Sequence, residues 1–252
     1  MRAAKHEERL TLVEHLDELR TRIIVSVAVL VVACGLCFWQ NHLLLDIANK
    51  PLPGDQVPIT FGITEPFFTT LKVSLYAGIL LALPVLLYQA YAFVLPALTP
   101  GEKRVVLPFV LMVPFLFIAG VVFAYYVVVP AATKFLLNFN QGEFNIQVRA
   151  SEYYGFFITT LIAIGLVFQV PIAILSATRL GIVTPRQLSK NRRYAYLVIA
   201  IVAMLLPGTD PVTMLIEMVP LLVLYEVSIV LARLFGTPSG EPSEPEPASG
   251  SG

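Results

Sequence analysis

Six long apolar runs, separated by short polar segments, make up most of the chain. Membrane strands alternate between apolar and polar positions, and these runs show no such alternation. A helix needs about 20 apolar residues to cross the hydrocarbon of a bilayer. The pattern predicts an all-α, polytopic membrane protein, a concave bundle of six transmembrane helices at residues 23–39, 66–94, 105–130, 153–178, 194–206 and 212–234.

Basic residues lie mainly on one side of this predicted bundle. Cytoplasmic loops carry an excess of lysine and arginine. Outside the spans, every basic residue except Lys50, Lys134 and Arg149 falls in the N-terminal segment, in the loops after the second and fourth spans, or at the end of the sixth. Both termini are therefore expected in the cytoplasm. No small-residue cleavage site follows the first apolar run, so we expect that run to remain in the mature protein.

The fifth run differs from the others in length. At about 1.5 Å per residue it measures about 20 Å, whereas the hydrocarbon core is about 30 Å thick. The short connection PGTDP joins it to the sixth run in a tight hairpin, and we expect this pair of short spans either to stop inside the outer leaflet or to thin the bilayer around it. The alternative is that the basic turn RRY before the run continues the helix and restores its length.

Three regions follow from these patterns. Residues 1–21 form a cytoplasmic, amphipathic N-terminal segment, residues 22–235 form the transmembrane domain, and residues 236–252, rich in Pro, Ser, Gly and Glu, form a disordered tail.

Composition agrees with a membrane protein and gives little sign of an enzyme. Hydrophobic residues make up 57% of the chain and charged residues 13%, with a mean hydropathy of +0.78. The only cysteines, Cys34 and Cys37, lie inside the first apolar run without carboxylates or histidines nearby, so we interpret them as small packing residues rather than metal ligands. No catalytic or phosphate-binding motif occurs. We therefore expect no enzymatic activity, no metal and no cofactor.

A charged stretch, HLDELRTR at residues 15–22, stands directly before the first span. Glu18 and Arg22 are four residues apart, and apolar residues recur there at helical spacing, which predicts an amphipathic helix that lies along the membrane before turning into it. The simpler alternative is an ion pair on a solvated face, with Arg20 and Arg22 anchoring the span. Glu102, in the loop after the second span, is likewise typical of an ordinary helix N-terminus.

Few ionisable or amide side chains fall inside the spans. Such groups are costly in a bilayer and usually face protein or water. Lys72 and Glu217 lie at similar depths from the outer side, which permits an ion pair between them. Glu226 either pairs with Arg233 or extends to the interface. The polar residues selected as candidates inside the membrane are Lys72, Gln169, Asp210 and Glu217.

Several segments, in order, resemble the TatC family, the multispanning component of the bacterial twin-arginine protein translocase. They are HLDELRTR, PVLLYQAYAFVLPALTPGEKR (84–104), GVVFAYYVVVPAATKFL (120–136), FQVPIAI (168–174) and VPLLVLYE (219–226). The resemblance extends over nearly the whole chain up to Arg233. It implies six transmembrane helices with both termini in the cytoplasm, in a bacterial cytoplasmic membrane.

The resemblance also implies a function and a set of partners. TatC proteins bind the twin-arginine signal peptides of folded precursors, recruit single-span TatA and TatB-type proteins, self-associate in a receptor complex, and use the proton-motive force. Nucleic acid is not among the implied partners. By resemblance, the signal-binding residues are Glu18, Arg20, Arg22, Phe93 and Glu102. Guanidinium groups bind carboxylates bidentately, so we expect Glu18 and Glu102 to receive the signal's arginines while Arg20 and Arg22 hold these carboxylates.

This chain departs from the family pattern inside the membrane. Many members carry Glu where it has Gln169, and Gln where it has Met214. Glu217 follows Met214 by about one turn, so we expect Gln169 and Glu217 to form a polar pair between the fourth and sixth spans. The alternative function is a secondary transporter for a small solute, against which we count the absence of repeats and of broken helices.

Overall fold

A computed structural model of the chain describes residues 12–53, 57–94, 100–139, 142–143, 146–179, 181–208 and 210–235, with only the backbone at 12–14, 94, 100–106 and 109. Nearly all of these residues are helical, and one isolated bridge joins Ile59 to Arg149. The all-α fold class is thus confirmed. The predicted tail, residues 236–252, and residues 1–11 lie outside the described residues.

The first span begins well before its apolar run. Helix α1, Leu12–Trp39, is continuous for 28 residues, so the expected bend between a surface segment and the span is wrong. The charged residues of HLDELRTR instead form the first turns of the spanning helix. A second, amphipathic helix, α2, Asn41–Asn49, follows after a turn at Gln40.

The second and third spans contain prolines without ending at them. Helix α3 covers Glu65–Val94 and includes Pro84, and helix α4 covers Pro100–Phe123. The third span then passes through a π-helical turn, Ala124–Val128, into helix α5, Val129–Asn138. Pro130 cannot donate a helical hydrogen bond, and a wider turn before it accommodates that loss.

The fourth span is broken in its middle. Helix α6, Ala150–Val167, and helix α7, Val170–Arg179, are separated by a turn at Phe168 and Gln169. Pro171 follows this turn and lacks the N–H that would bond to the residue 167 carbonyl, so it accounts for the kink. The expectation of unbroken helices is therefore wrong at this span.

The last hairpin contains one short helix and one long helix. Helix α8, Pro185–Lys190, is followed by α9, Arg192–Leu205, and α10, Pro211–Phe235. With 14 residues, α9 measures about 21 Å, so the short length predicted for the fifth run is confirmed. The basic turn adds only two residues because Asn191 separates α8 from α9. With 25 residues, α10 is a full-length span, so the expectation that it is also short is wrong.

Five helical stretches among the described residues are long and apolar enough to cross a membrane. They are His15–Trp39, Glu65–Phe93, Val110–Asn138, Ala150–Arg179 and Pro211–Phe235. The shorter α9 is not among them. The number of six spans and the cytoplasmic location of both termini remain predictions.

The helices pack mainly in a row. Helix α1 contacts α3, α3 contacts α4 and α6, α4 contacts α7, α7 contacts α10, and α10 contacts α9. Gly78 permits the close approach of α1 and α3, because a Cβ atom there would lie 2.6 Å from Cα of Cys34. Helices α1 and α9 therefore lie at opposite ends of the row.

The C-terminal end of α2 is held by tyrosines from other elements. The hydroxyls of Tyr125 and Tyr153 donate to the carbonyls of Ile47 and Ala48, and Tyr154 donates to the Asn49 side chain. The last carbonyls of a helix have no partner within the helix. These bonds satisfy two of them and fix α2 against the bundle.

Candidate functional site

The N-terminal turns of α1 are joined to the last turns of α3 by a charged network. Arg22 donates from Nε and Nη2 to one oxygen of Glu18, Oε1, one turn earlier. Its remaining donor group, Nη1, lies 2.8 Å from Oε1 of Gln89 on α3. A guanidinium has donors on several sides, so Arg22 can tie a carboxylate on its own helix to a second helix.

An aromatic contact lies beside this network. The rings of His15 and Phe93 are stacked with centroids 4.3 Å apart and planes inclined by 17°. Nδ1 of His15 lies 3.9 Å from the second carboxyl oxygen of Glu18, Oε2. That distance is too long for a hydrogen bond. Phe93 therefore lies next to the Glu18 network.

The Glu18 carboxylate is fixed on one side and open on the other. Its side chain is 24% exposed, and Oε2 has no hydrogen bond from the described residues. A carboxylate offers about four acceptor positions, and Arg22 uses only those of Oε1. The group can thus accept a further guanidinium or amide donor without releasing Arg22.

Two other predicted site residues are less well defined. Arg20 is exposed and has no hydrogen-bond or ion-pair partner in the described part of the chain, so it does not contact Glu18. The Glu102 backbone belongs to the first turn of α4, but its side chain lies outside the described residues. Only residues 95–99 separate α3, which carries Gln89 and Phe93, from α4, which carries Glu102. Helices α3 and α4 also pack together.

Neither predicted partner of Glu217 is bonded to it. Glu217 is fully buried in α10, and both of its carboxyl oxygens lack a hydrogen-bond partner among the described residues. Lys72 is exposed on α3, which packs on α1, α4 and α6, whereas α10 packs mainly on α7 and α9. The predicted Lys72–Glu217 ion pair is therefore absent, because equal depth does not make two helices neighbours.

Gln169 and Asp210 make different contacts from those expected. Nε2 of Gln169 lies 3.3 Å from the Val113 carbonyl on α4, and its Oε1 has no partner. The predicted Gln169–Glu217 polar pair is thus absent: the break between α6 and α7 turns the amide toward α4. Asp210 caps α10, with Oδ1 accepting from the Thr213 N–H at 2.8 Å.

Glu226 joins α10 to α9. It accepts from Nη2 of Arg192 at 2.7 Å and from the Tyr196 hydroxyl at 2.6 Å. Arg233 instead donates to Oγ of Ser189 on α8, so of the two alternatives for Glu226 the pair with Arg233 is wrong. Glu226 therefore pairs with residues of the neighbouring helix α9 and not with Arg233, two turns later on α10.

Sequence reasoning missed two members of the α1–α3 network. Neither Gln89 nor His15 is among the candidate residues selected from the sequence. Their spacing carried a signal, since Gln89 precedes Phe93 by one helical turn and His15 precedes Glu18 by three residues. Within the described residues, no group of three or more His, Cys, Asp or Glu side chains is placed to hold a metal ion.

Comparison with known proteins identifies the family. The model of the TatC family, described as Sec-independent protein translocase protein, matches residues 14–220. The Sec-independent protein translocase protein TatC of Carboxydothermus hydrogenoformans is 38% identical over 90% of this chain and 94% of its own length. The TatC of Aquifex aeolicus is 37% identical over 88% of this chain and 95% of its own length.

A solved structure agrees with these relatives. The crystal structure of the twin-arginine translocase receptor TatC in DDM superimposes with a TM-score of 0.76 at 35% identity, covering 86% of this chain and 99% of the other. The chain therefore belongs to the TatC family and is a non-enzymatic, multi-pass component of the twin-arginine, Sec-independent protein translocase in the cytoplasmic membrane.

Proposed function

We propose that this chain is the core receptor subunit of its translocase, and that it binds the twin-arginine signal peptides of folded precursors at the surface formed by Glu18, Phe93 and Glu102. The observation that carries the proposal is the open oxygen of Glu18. Arg22 and Gln89 hold the carboxylate through Oε1, and Oε2 has no hydrogen bond from the described residues.

The chemistry of the tag suits this surface. A guanidinium is planar and always charged, and it can bind a carboxylate with two donors while its face lies on an aromatic ring. In the proposed complex, one arginine of the signal binds Glu18 beside the His15–Phe93 stack. The second binds Glu102, with Arg20 as the partner that keeps the Glu102 carboxylate in position.

Later steps depend on partners. The receptor recruits single-span TatA and TatB-type proteins, associates with further copies of itself, and supports export driven by the proton-motive force. The short α9 supports a role for locally thinned bilayer in the passage of folded cargo. The break in the fourth span is a feature of some secondary transporters, but solute transport has no further support, and family membership favours the receptor.

Binding of a labelled twin-arginine signal peptide to the purified chain in nanodiscs tests the proposal. Glu18→Gln and Glu102→Gln should each weaken binding by about tenfold or more, because a hydrogen-bonded charge pair contributes about 1.5–3 kcal/mol. Asp17→Asn is the matched control, since Asp17 is an exposed neighbour of Glu18 on α1 outside the network. A peptide with two lysines should bind more weakly to the unsubstituted chain. Undiminished affinity in both glutamate variants would refute the proposed site.

A further inference from the structure

Glu217 lies in the first turns of α10. It is not part of the proposed signal-binding surface. It is fully buried, and neither of its carboxyl oxygens has a hydrogen-bond partner among the described residues. A buried carboxylate that lacks both a cation and hydrogen-bond donors costs several kcal/mol. The side chain therefore needs some form of neutralisation.

Further polar atoms of the same region lack partners. Oγ1 of Thr213 and Oδ2 of Asp210 are buried without a hydrogen bond from the described residues. Asp210 precedes Glu217 by seven residues, about two helical turns. A second negative charge makes an ionised Glu217 still less favourable.

No cation from the packed elements compensates for this. Arg179 ends α7 away from the Asp210 turn, Arg192 on α9 is bonded to Glu226, and Lys134 on α5 is exposed. Tyr125 of the π-helical turn donates to Ile47. The remaining charged or titratable groups on the elements that pack on α10 are Tyr126, Arg186, Lys190, Arg193, Tyr194 and Tyr196, and none of them donates to Glu217.

A water-accessible cavity lies next to the start of α10, at Pro207 and Gly208. It has a volume of about 560 Å³ and is lined by Leu52, Thr133, Arg149, Glu152, Pro207 and Gly208, among others. Arg149 and Glu152 are exposed, so water can enter. These residues belong to the connections and helix ends on the side opposite the predicted cytoplasmic termini.

Gly208 lies close to both the cavity and the Glu217 carboxyl group. It lines the cavity, and a Cβ atom at this position would lie 3.9 Å from Oε1 of Glu217. The carboxyl group is therefore close to a residue that water in the cavity can reach.

We propose that Glu217 is a proton-binding site, which holds a proton in the resting protein and exchanges it, with Asp210 as its neighbour, past Gly208 with water on the outer side of the membrane. The ligand is a proton and not a metal ion, because two carboxylates and one hydroxyl without a third carboxylate or histidine are a poor cation cage. The site stands apart from the signal-binding surface and does not depend on it.

Carbodiimide labelling of the full chain in native membrane vesicles tests this. Dicyclohexylcarbodiimide adds to protonated carboxyl groups in apolar surroundings, and mass spectrometry of peptides locates the adduct. Right-side-out and inverted vesicles allow the pH on each side to be varied separately. Glu226, in the same helix but bonded to Arg192 and Tyr196, is an internal control.

Glu217 should be labelled strongly and Glu226 little. As the pH on the outer side rises past the midpoint, labelling of Glu217 should fall about tenfold per pH unit, and it should not respond to the pH of the cytoplasmic side. Absence of labelling at every pH would overturn the proposal, because Glu217 would then be ionised or paired. Labelling that ignores the outer pH, or follows the inner pH, would equally overturn it. So would equal labelling of both glutamates, since the reaction would then report access alone.

Discussion

Two glutamates on helices that are far apart in the row, α1 and α10, have opposite surroundings. Glu18 lies in the first turns of α1, partly exposed, and receives two donor groups of Arg22. Glu217 lies in the first turns of α10, fully buried, without a donor from the described residues. Both lie near the start of their helix, so their positions in the chain give little sign of this contrast.

The contrast indicates two uses of the same side chain. A carboxylate that is held by a guanidinium and still has an open oxygen is suited to bind a cationic peptide. A carboxyl group that is buried beside a second acid is suited to hold a proton. The neighbouring residues, Arg22 in one case and Asp210 in the other, separate these roles.

The largest effect is expected from Gly208→Ala, which alters the surroundings of the buried Glu217. Gly208 has φ of 147°, and a Cβ atom there would lie 2.7 Å from Cγ2 of Thr213. We expect a loss of about 3 kcal/mol of stability from strain and collision, measured by thermal unfolding in detergent. Gly181→Ala is the control, because Gly181 also has positive φ but open space around it, and it should cost about 1 kcal/mol. Equal losses would contradict the collision.

The second effect concerns Arg22→Lys, which alters the residue that holds the partly exposed Glu18. A single ammonium cannot reproduce the planar fork that binds Glu18 and Gln89 together. We expect signal-peptide affinity to fall about tenfold, equivalent to about 1.4 kcal/mol, measured by fluorescence anisotropy in nanodiscs. Asp17→Asn, at an exposed residue of α1 outside the network, is the control and should leave affinity unchanged. An undiminished affinity of Arg22→Lys, or an equal loss in the control, would contradict the positioning role of Arg22.

Replacement of each glutamate by methionine should give effects of opposite sign. Glu217→Met removes an unpaired buried carboxyl group and should leave stability unchanged or raise it by about 1 kcal/mol. Glu18→Met leaves Arg22 without its carboxylate and should lower stability by about 1 kcal/mol. Thermal unfolding in the same detergent measures both. If both variants lose stability equally, Glu217 makes a stabilising polar contact, and the proposed difference between the two glutamates is wrong.

The smallest effect concerns salt. Binding of a twin-arginine peptide at the exposed Glu18 should weaken several-fold from low to high ionic strength, because mobile ions screen exposed charges. Carbodiimide labelling of Glu217 should change little, since a neutral buried acid has no charge to screen. Salt titrations of peptide binding and of labelling measure the two responses. A strong salt response at Glu217 would place it in contact with bulk solvent.

Much of the fold was predictable from apolar runs. Their lengths predicted the spanning helices and the short α9, because the hydrocarbon thickness sets the number of apolar residues required. The π-helical turn before Pro130 and the break before Pro171 were not predicted. Proline also occurs inside α3 and α10 without a break, so the residue type alone does not decide where a helix is interrupted.

The site was only partly predictable. The spacing of Glu18 and Arg22 was enough for a local pair, because residues four apart share a helix face. The link from Arg22 to Gln89 and the stack of His15 on Phe93 join residues far apart in the sequence. The pairs proposed for Glu217 failed for the same reason, since depth along a helix says nothing about its rotation or its neighbours.

The amino-acid sequence was sufficient to establish the membrane class, the helical fold and the TatC family, because these depend on apolar length and on ordered local motifs. The packing of the helices was needed to find which polar groups meet. It joined Arg22 to Gln89, left Glu217 without a hydrogen-bond partner among the described residues, and directed Gln169 to α4. Such contacts depend on helix rotation and on kinks, which arise from side-chain packing across the whole bundle.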